Sequence, residues 1–321
     1  MKKIIKWVLL TIGFSIIGVL FFVSFGLPDV GESGYIKIER TPKRLERGEY
    51  LANNVSVCMD CHSKRDWNKF SGPLVSGTLG QGGELFNQKY GFPGEYYSKN
   101  ITPHGIGNWT DGEILRAISS GVDKDGKAIF PVMPHPNFGK MDKEDLYSII
   151  VYLRSLEPIV SKIPDSKSDF PMNFIINTIP KKAEFSKKPN EKDVVNYGAY
   201  LFNAASCAEC HTKNEKGSKI EGMELAGGFE FPMVTGGIVR SSNITPDKST
   251  GIGNWTEEIF VDRFKSYVDS NYISNKIEKG NFNTVMPWTM YGNMKKEDLK
   301  AVFAYLKTVK PIKNAVVKFS E

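Results

Sequence analysis

The amino-acid sequence repeats itself, and the repeat limits the folds open to it. RGEYLANNVSVCMDCH at 47–62 returns as YGAYLFNAASCAECH at 197–211. NITPHGIGNWT at 100–110 returns as NITPDKSTGIGNWT at 243–256. VMPHPNFGKMDKEDLYSIIVYLRSLEP at 132–158 returns as VMPWTMYGNMKKEDLKAVFAYLKTVKP at 285–311. The internal spacing separates duplication from coincidence: Met133 precedes Leu146, Tyr152 and Pro158 by 13, 19 and 25 residues, and Met286 precedes Leu299, Tyr305 and Pro311 by the same intervals. Two copies of about 120 residues make two domains; a solenoid needs more and shorter repeats. Apolar residues are 40% and charged residues 24% of the chain, enough for two packed cores and incompatible with global disorder.

The first 30 residues stand outside the repeat. Trp7 to Leu27 is an uncharged, mostly aliphatic and aromatic run, preceded by Lys2, Lys3 and Lys6 and followed by Asp29 and Glu32. Such a run is long enough for a bilayer core of about 30 Å. The positive-inside rule puts its N-terminus in the cytoplasm and the rest of the chain across the membrane. The competing reading is a cleaved secretory peptide, with Ser24-Phe25-Gly26 as small residues near a cleavage point. Residues 1–30 are therefore expected to be a membrane anchor or a signal peptide, and either exports the remainder. The net charge is +6, and removing the three leading lysines leaves +3. That is too little for a nucleic-acid binder.

Helices are legible near the end of each copy. Leu146, Ile149, Ile150 and Leu153 form one helical face, as do Leu299, Val302, Phe303 and Leu306. Asp142 is placed to start the first helix, with Asp145 three residues on, and Pro158 and Pro311 to stop each. A second helix is expected to run into the first cysteine of each copy. Gly48 and Gly198 lie in it, each at a cost of about 1 kcal/mol in helix propensity; close helix packing, near Tyr152 and Tyr305, would account for them. Strands are not evident. Between the copies, Pro158, Pro164, Pro171, Pro180 and Pro189 favour extended chain. Phe170, Met172, Phe174, Ile175 and Ile176 are too apolar for a free linker, so the connector is expected to lie across the protein surface. The expected boundaries are 40–158 for the first domain, 159–190 for the connector and 191–314 for the second.

All four cysteines fall in two C-x-x-C-H segments, Cys58–His62 and Cys207–His211. On a helix, positions i, i+3 and i+4 share a face, so two thiols and an imidazole point the same way. The arrangement suits a planar macrocycle bonded through two thioethers, with its iron held by the histidine, and it reads as c-type haem attachment. A zinc ribbon needs its second cysteine pair about 15–20 residues on, whereas Cys58 and Cys207 are 149 apart. A thioredoxin-like pair needs a βαβ context, and a plain disulfide leaves the repeated histidine unexplained. The cofactor expected is two covalently bound haem c.

With these segments the chain resembles the two-domain, dihaem class I cytochromes c. In detail it is similar to the cytochrome c subunits that accompany membrane-bound alcohol, gluconate and sorbitol dehydrogenases. RGEYL, NITP…GIGNWT and FPVMPHPNF followed by DKEDLYSIIVYL carry the resemblance, over residues 44–157 and 195–310. It implies a mainly α fold: an N-terminal transmembrane helix, then two tandem cytochrome c-like domains. Those relatives usually carry three haems, whereas this chain has two motifs.

Cys58, Cys61, Cys207 and Cys210 are then the attachment residues, and His62 and His211 the proximal iron ligands. Only His104 and His135 remain, both in the first copy, so the second copy has no histidine of its own for a sixth ligand. Met133 and Met286 are equivalent and each precedes a proline, which favours extended chain; the resemblance points to the same two residues. Met141 and Met294 are also equivalent but stand where an apolar residue packs against the last helix. His135 is an alternative ligand in the first copy or a pocket residue, and His104 reads as a surface loop residue. Trp109 and Trp255, like Asn100 and Asn243, either touch a haem or serve the fold.

Iron filled by His and Met has no open position. The expected role is therefore electron transfer, from a periplasmic or quinol-linked dehydrogenase to a cytochrome or terminal oxidase, at the extracytoplasmic membrane face. It also fits a cytochrome subunit of a dehydrogenase complex. The rival is a dihaem enzyme of peroxidase or thiosulfate-oxidising type, which needs one weakly ligated iron.

Overall fold

The computed structural model describes residues 1–215 and 217–321. Among them helices predominate, joined by long loops and three small antiparallel sheets. The two apolar faces read from the sequence form helices Lys143–Ser155 and Lys296–Leu306, the terminal helices of the two copies. Leu146, Ile149, Ile150, Leu153, Leu299 and Leu306 are buried in one contiguous core that runs through both copies. Asp142 caps the first terminal helix, its carboxylate accepting from the Glu144 amide at 2.8 Å.

Against each terminal helix lies the helix that leads toward the cysteines, Pro42–Tyr50 in the first copy and Val194–Ala204 in the second. The crossing is close enough to need glycine. A Cβ on Gly48 would lie 1.8 Å from the Ser148 carbonyl oxygen, and one on Gly198 would lie 1.9 Å from that of Ala301. The helices meet backbone to backbone one turn before Tyr152 and Tyr305, so these tyrosines are not what requires the glycines. Tyr152 instead accepts a hydrogen bond from Asn53 at 2.8 Å.

Neither leading helix continues into its cysteines. A single left-handed residue interrupts it, Val57 (φ 41°) in the first copy and Ser206 (φ 53°) in the second. The motif helix then begins in a new direction. The first copy also has one residue more between the shared leucine (Leu51, Leu201) and the first cysteine. That residue is accommodated by a π-helical turn at Leu51–Val55, the usual way a helix absorbs an insertion next to a functional site.

After each terminal helix the chain turns back over its own copy. Asn100 Nδ2 donates to the Ile159 carbonyl at 2.7 Å, and Asn243 Nδ2 to that of Ile312 at 2.8 Å. The returning segments then add an edge strand: Lys167–Ser168 pairs with Gly94–Tyr97, and Phe319–Ser320 pairs with Ile238–Arg240. The described strands are two to four residues long. That is too short for an alternating pattern to register, which is why the sequence shows no strands.

The copies pack through an approximate two-fold arrangement. Tyr50 donates to Asp298 at 2.5 Å, and its counterpart Tyr200 donates to Asp145 at 2.7 Å. Each hydroxyl also accepts from the backbone amide just before the partner's terminal helix, Lys295 at 3.0 Å and Asp142 at 3.3 Å. Arg47 completes one side with a two-pronged bond to Asp145 at 2.9 and 2.7 Å, and Tyr197 the other with a bond to Asp298 at 3.2 Å. Burial alone would raise the Asp145 carboxyl; the Arg47 hydrogen bond and charge outweigh it and hold it below its ordinary value. Burial, then Asp145, pushes the Tyr200 hydroxyl upward.

At the N-terminus, Lys2–Phe25 is a 24-residue helix of mean hydropathy 2.5 with no buried residue, long and apolar enough to cross a membrane. The apolar part of the connector forms a short helix, Met172–Ile175, against its end, and Asn177 Nδ2 donates to the Val23 carbonyl at 3.1 Å.

Replacing Gly48 with Ala is expected to force the two helices of the first copy apart and cost about 1–3 kcal/mol. Chemical denaturation of the variant measures this; an unchanged midpoint would contradict the close crossing.

Candidate haem-attachment sites

The motif helices Cys58–Cys61 and Cys207–His211 are single turns, so each pair of thiols shares a face with the following histidine. The histidines are held identically. His62 Nδ1 lies 2.6 Å from the Lys99 carbonyl oxygen, and His211 Nδ1 lies 2.8 Å from that of Ser242. A carbonyl only accepts, so Nδ1 carries the proton in both, and Nε2 is left as the basic nitrogen that can bind a metal. Burial lowers the pKa of both imidazoles and favours this neutral form.

The two carbonyls are themselves fixed. Each precedes an asparagine whose Oδ1 accepts from the amide and hydroxyl of a buried threonine two residues on: Asn100 with Thr102 at 2.9 and 2.7 Å, Asn243 with Thr245 at 2.9 and 2.8 Å. The NITP segments thus serve the fold directly and the histidines through it. Gly82 and Gly227 close the other side. Their amides donate to the His62 and His211 carbonyls at 2.8 Å, and a Cβ on either would strike the Lys99 or Ser241–Ser242 backbone. Neither glycine is evident from the motifs, although each stands at the same place in its copy.

The two motifs are neighbours. The turn that leads into the first, Leu51–Val55, packs on the helix Trp288–Tyr291 of the second copy. Tyr291, buried and donating to the Ala205 carbonyl at 2.9 Å, is near both. No disulfide joins the four cysteines. Partial burial raises the Cys58, Cys61 and Cys207 thiols, while Cys210 is exposed. The described strands pair antiparallel, so the βαβ context of a thioredoxin-like pair is missing among the described residues.

The methionines divide into two kinds. Met141 and Met294 are fully buried packing groups. Met133 and Met286 are half-buried at the core edge, each followed by the proline that starts a short helix, His135–Phe138 or Trp288–Tyr291. His135 is buried against Gly121, and desolvation lowers it to about 4, so it is neutral. His104 is exposed on the helix Pro103–Ile106. Trp109 and Trp255 are half-buried against the core.

A charged cluster adjoins the first motif. Arg65 is 5% exposed and donates to Asp60 at 2.9 Å, to the Gly72 carbonyl at 2.8 Å and to the Ser71 carbonyl at 2.7 Å. It also lies 4.0 Å from the Trp67 ring centre. Burial raises Asp60 to about 6 against the pull of Arg65.

The cytochrome c family model matches residues 195–310. This segment is a cytochrome c domain. Such a domain binds haem c covalently, and the Cys207–His211 motif lies inside it. The chain as a whole is 27% identical to the cytochrome c subunit of a quinone-dependent alcohol dehydrogenase from Gluconacetobacter polyoxogenes, over 84% of this chain and 56% of that protein. It is 24% identical to the gluconate 2-dehydrogenase cytochrome c subunit of Pantoea cypripedii, over 83% and 59%. It is 28% identical to a diheme c-type cytochrome from Cereibacter sphaeroides, over 79% and 82%. The chain spans little more than half the length of these alcohol and gluconate dehydrogenase subunits.

Arg65→Met strands the Asp60 carboxylate, and losing one member of a buried pair costs about 3–5 kcal/mol. Asp60 escapes the penalty by taking up a proton, and without the pull of Arg65 it does so above its wild-type value of about 6, so the deficit is expected to be small near pH 6 and to grow toward pH 8 and beyond. Unfolding of wild type and variant at both values measures it; a deficit independent of pH would contradict the pairing.

Proposed function

We propose that this chain is a membrane-anchored dihaem c-type cytochrome that passes electrons from a dehydrogenase to a cytochrome or oxidase. The observation that carries this reading is the repeated unit of two thiols and a histidine whose Nδ1–H is tied to a backbone carbonyl. The tie orients the ring and leaves Nε2 as the ligating atom, the usual role of a partner behind a metal-bound imidazole.

On this reading residues 40–158 and 191–314 are two cytochrome c domains joined by 159–190. Cys58 and Cys61 hold one haem, Cys207 and Cys210 the other. His62 and His211 supply the proximal ligands, Met133 and Met286 the distal ones. When bound, each haem would supply a one-electron couple, and ligation by a methionine as well as a histidine would raise its potential. The protein's part is to keep both positions on the iron occupied, exclude water with the surrounding core and leave an edge for partners. The packing of Leu51–Val55 on Trp288–Tyr291, with Tyr291 bonded to Ala205, brings the two attachment regions together, which suits exchange between the halves. The helix Lys2–Phe25, with its leading lysines in the cytoplasm, tethers both domains on the extracytoplasmic side. The similarity to cytochrome subunits of dehydrogenases supports a dehydrogenase donor, either as a permanent complex or by encounter. With +3 on the globular part, encounters are only mildly steered by charge.

Material matured in a haem-attaching host is expected to weigh the polypeptide plus two haem groups; mass spectrometry showing one group or none would sink the dihaem reading. Met286→Ala is expected to keep both haems attached while half of the sulfur-to-iron charge-transfer absorption disappears. An undiminished band would remove Met286 from the ligand set. A high-spin ferric signal in the oxidised wild type would favour the dihaem enzyme.

A further inference from the structure

The two Met-Pro turns are equivalent in sequence but held differently. In the first copy, the Met133 carbonyl accepts from the His135 amide at 2.7 Å, and the Met133 amide donates to Phe130 at 3.3 Å, all within the copy. The second copy repeats the inner bond, Trp288 amide to Met286 carbonyl at 2.8 Å. It then gains a bracket from the other half of the molecule. Ser71 Oγ donates to the Met286 carbonyl at 2.6 Å and accepts from the Trp288 amide at 3.2 Å. One hydroxyl thus spans the backbone on both sides of Pro287.

The loop that delivers Ser71 is clamped in place. The Ser71 amide donates to Asn283 Oδ1 at 2.9 Å, and Asn283 Nδ2 donates to the Trp67 and Lys69 carbonyls at 3.2 and 3.3 Å. Asn283 is fully buried and Ser71 is 1% exposed. Phe70 donates from its amide to Asn275 at 2.8 Å, Ile277 donates to Asn68 at 2.7 Å, and Ser274 Oγ donates to the Phe70 carbonyl at 2.7 Å. Ser71 has φ +63°, a conformation unfavourable outside glycine. The surrounding bonds hold it there, as backbone strain at functional positions requires. On the other side, Arg65 grips the Ser71 carbonyl while bonded to Asp60 of the first motif. A continuous chain of hydrogen bonds therefore runs from the first C-x-x-C-H turn through Arg65 and Ser71 to the backbone of Met286.

The stretch that forms this loop is specific to the first copy. From Ser63 to Gly80 it is four residues longer than its counterpart from Thr212 to Leu225. The counterpart contains an exposed hairpin, Asn214–Glu215 with Ser218–Lys219.

Resting on the assignment of Met286 as a ligand, we infer that the first copy's Trp67–Gly72 loop positions the distal ligand of the second haem, with Ser71 as the positioning residue. Among the described residues no bond from the second copy reaches the Met133 backbone; its Asn203 donates instead to the Asn137 carbonyl, four residues on, at 2.9 Å. The two centres, alike in ligands, are set apart by this bracket: the second holds its thioether more firmly and resists displacement by outside ligands.

The test is an imidazole titration of the full-length holoprotein, following loss of the sulfur-to-iron band, with a potentiometric titration in parallel. Met286→Ala first identifies which phase belongs to the second centre. Ser71→Ala, which deletes only the hydroxyl, is expected to let imidazole displace methionine at that centre at roughly tenfold lower concentration, the scale of losing a partner that orients a ligand. It is expected to shift that centre's potential and leave the first centre unchanged. Ser71→Gly, which also suits the backbone angle, serves if the alanine variant does not accumulate. Ser274→Ala loosens the same junction without touching the Met286 backbone and should leave both phases in place. Equal shifts at both centres, a wild-type titration for Ser71→Ala, or a matching shift in Ser274→Ala would overturn the inference. Retention of both bands in Met286→Ala would instead remove the ligand assignment beneath it, and the two failures are distinct.

Discussion

The contact between backbones at Gly48 and Gly198 is the constraint on which the remaining geometry depends. Each glycine lets the helix leading to the cysteines sit directly on the terminal helix of its own copy. That seating fixes where the leading helix ends, hence where the left-handed residue turns the chain and where the motif helix points. It also places Tyr50 and Tyr200 to cross to the other copy and reach Asp298 and Asp145. A side chain at either glycine would move the histidine and the interface together, since both hang from the same helix.

Duplication supplied two equivalent frames, and departures from equivalence make the halves differ. Arg47 occupies the place of Tyr197, so a charged pair holds one side of the interface and a phenol the other. One inserted residue became a π-helical turn before Cys58. A longer loop after the first motif crosses onto the Met286 turn. His135 corresponds to Trp288, which stacks on Tyr267 at 4.9 Å beneath Arg263. The inner scaffold, by contrast, is repeated almost atom for atom: asparagine to returning chain, glycine amide to histidine carbonyl, histidine to the carbonyl before asparagine. These are the parts that orient the groups able to hold a haem, and variation there would alter ligation.

Legibility followed the range of the interaction. The terminal helices, the Asp142 cap and the fully buried Met141 and Met294 were readable because periodicity and capping are local signals. The reason for Gly48 and Gly198 was readable only in outline. Helix contact was the right cause, but the contact is with the Ser148 and Ala301 backbone, which has no side-chain signature. Asp145 looked like part of a helix start and instead pairs with Arg47 and Tyr200, because a carboxylate at the first turn serves either purpose. The short strands left no alternation to detect. The asparagines of NITP could have faced a haem or the fold, and their bonds to Thr102 and Thr245 and to the returning chain show a role in the fold that the sequence did not reveal.

The sequence by itself determined the chemistry. Two cysteines and a histidine at fixed spacing carry their meaning in covalent order, and the repeated offsets show that this pattern occurs twice. The apolar run at the start is likewise a property of composition alone. Tertiary structure decided which carbonyl faces each histidine, which glycines permit the approach, that the two motifs lie side by side, and that a serine from one copy holds the methionine turn of the other. The physical reason is that a hydrogen bond between residues hundreds of positions apart, such as Ser71 to Met286, depends on how packed helices place two backbones, and no local pattern of residue types encodes that distance.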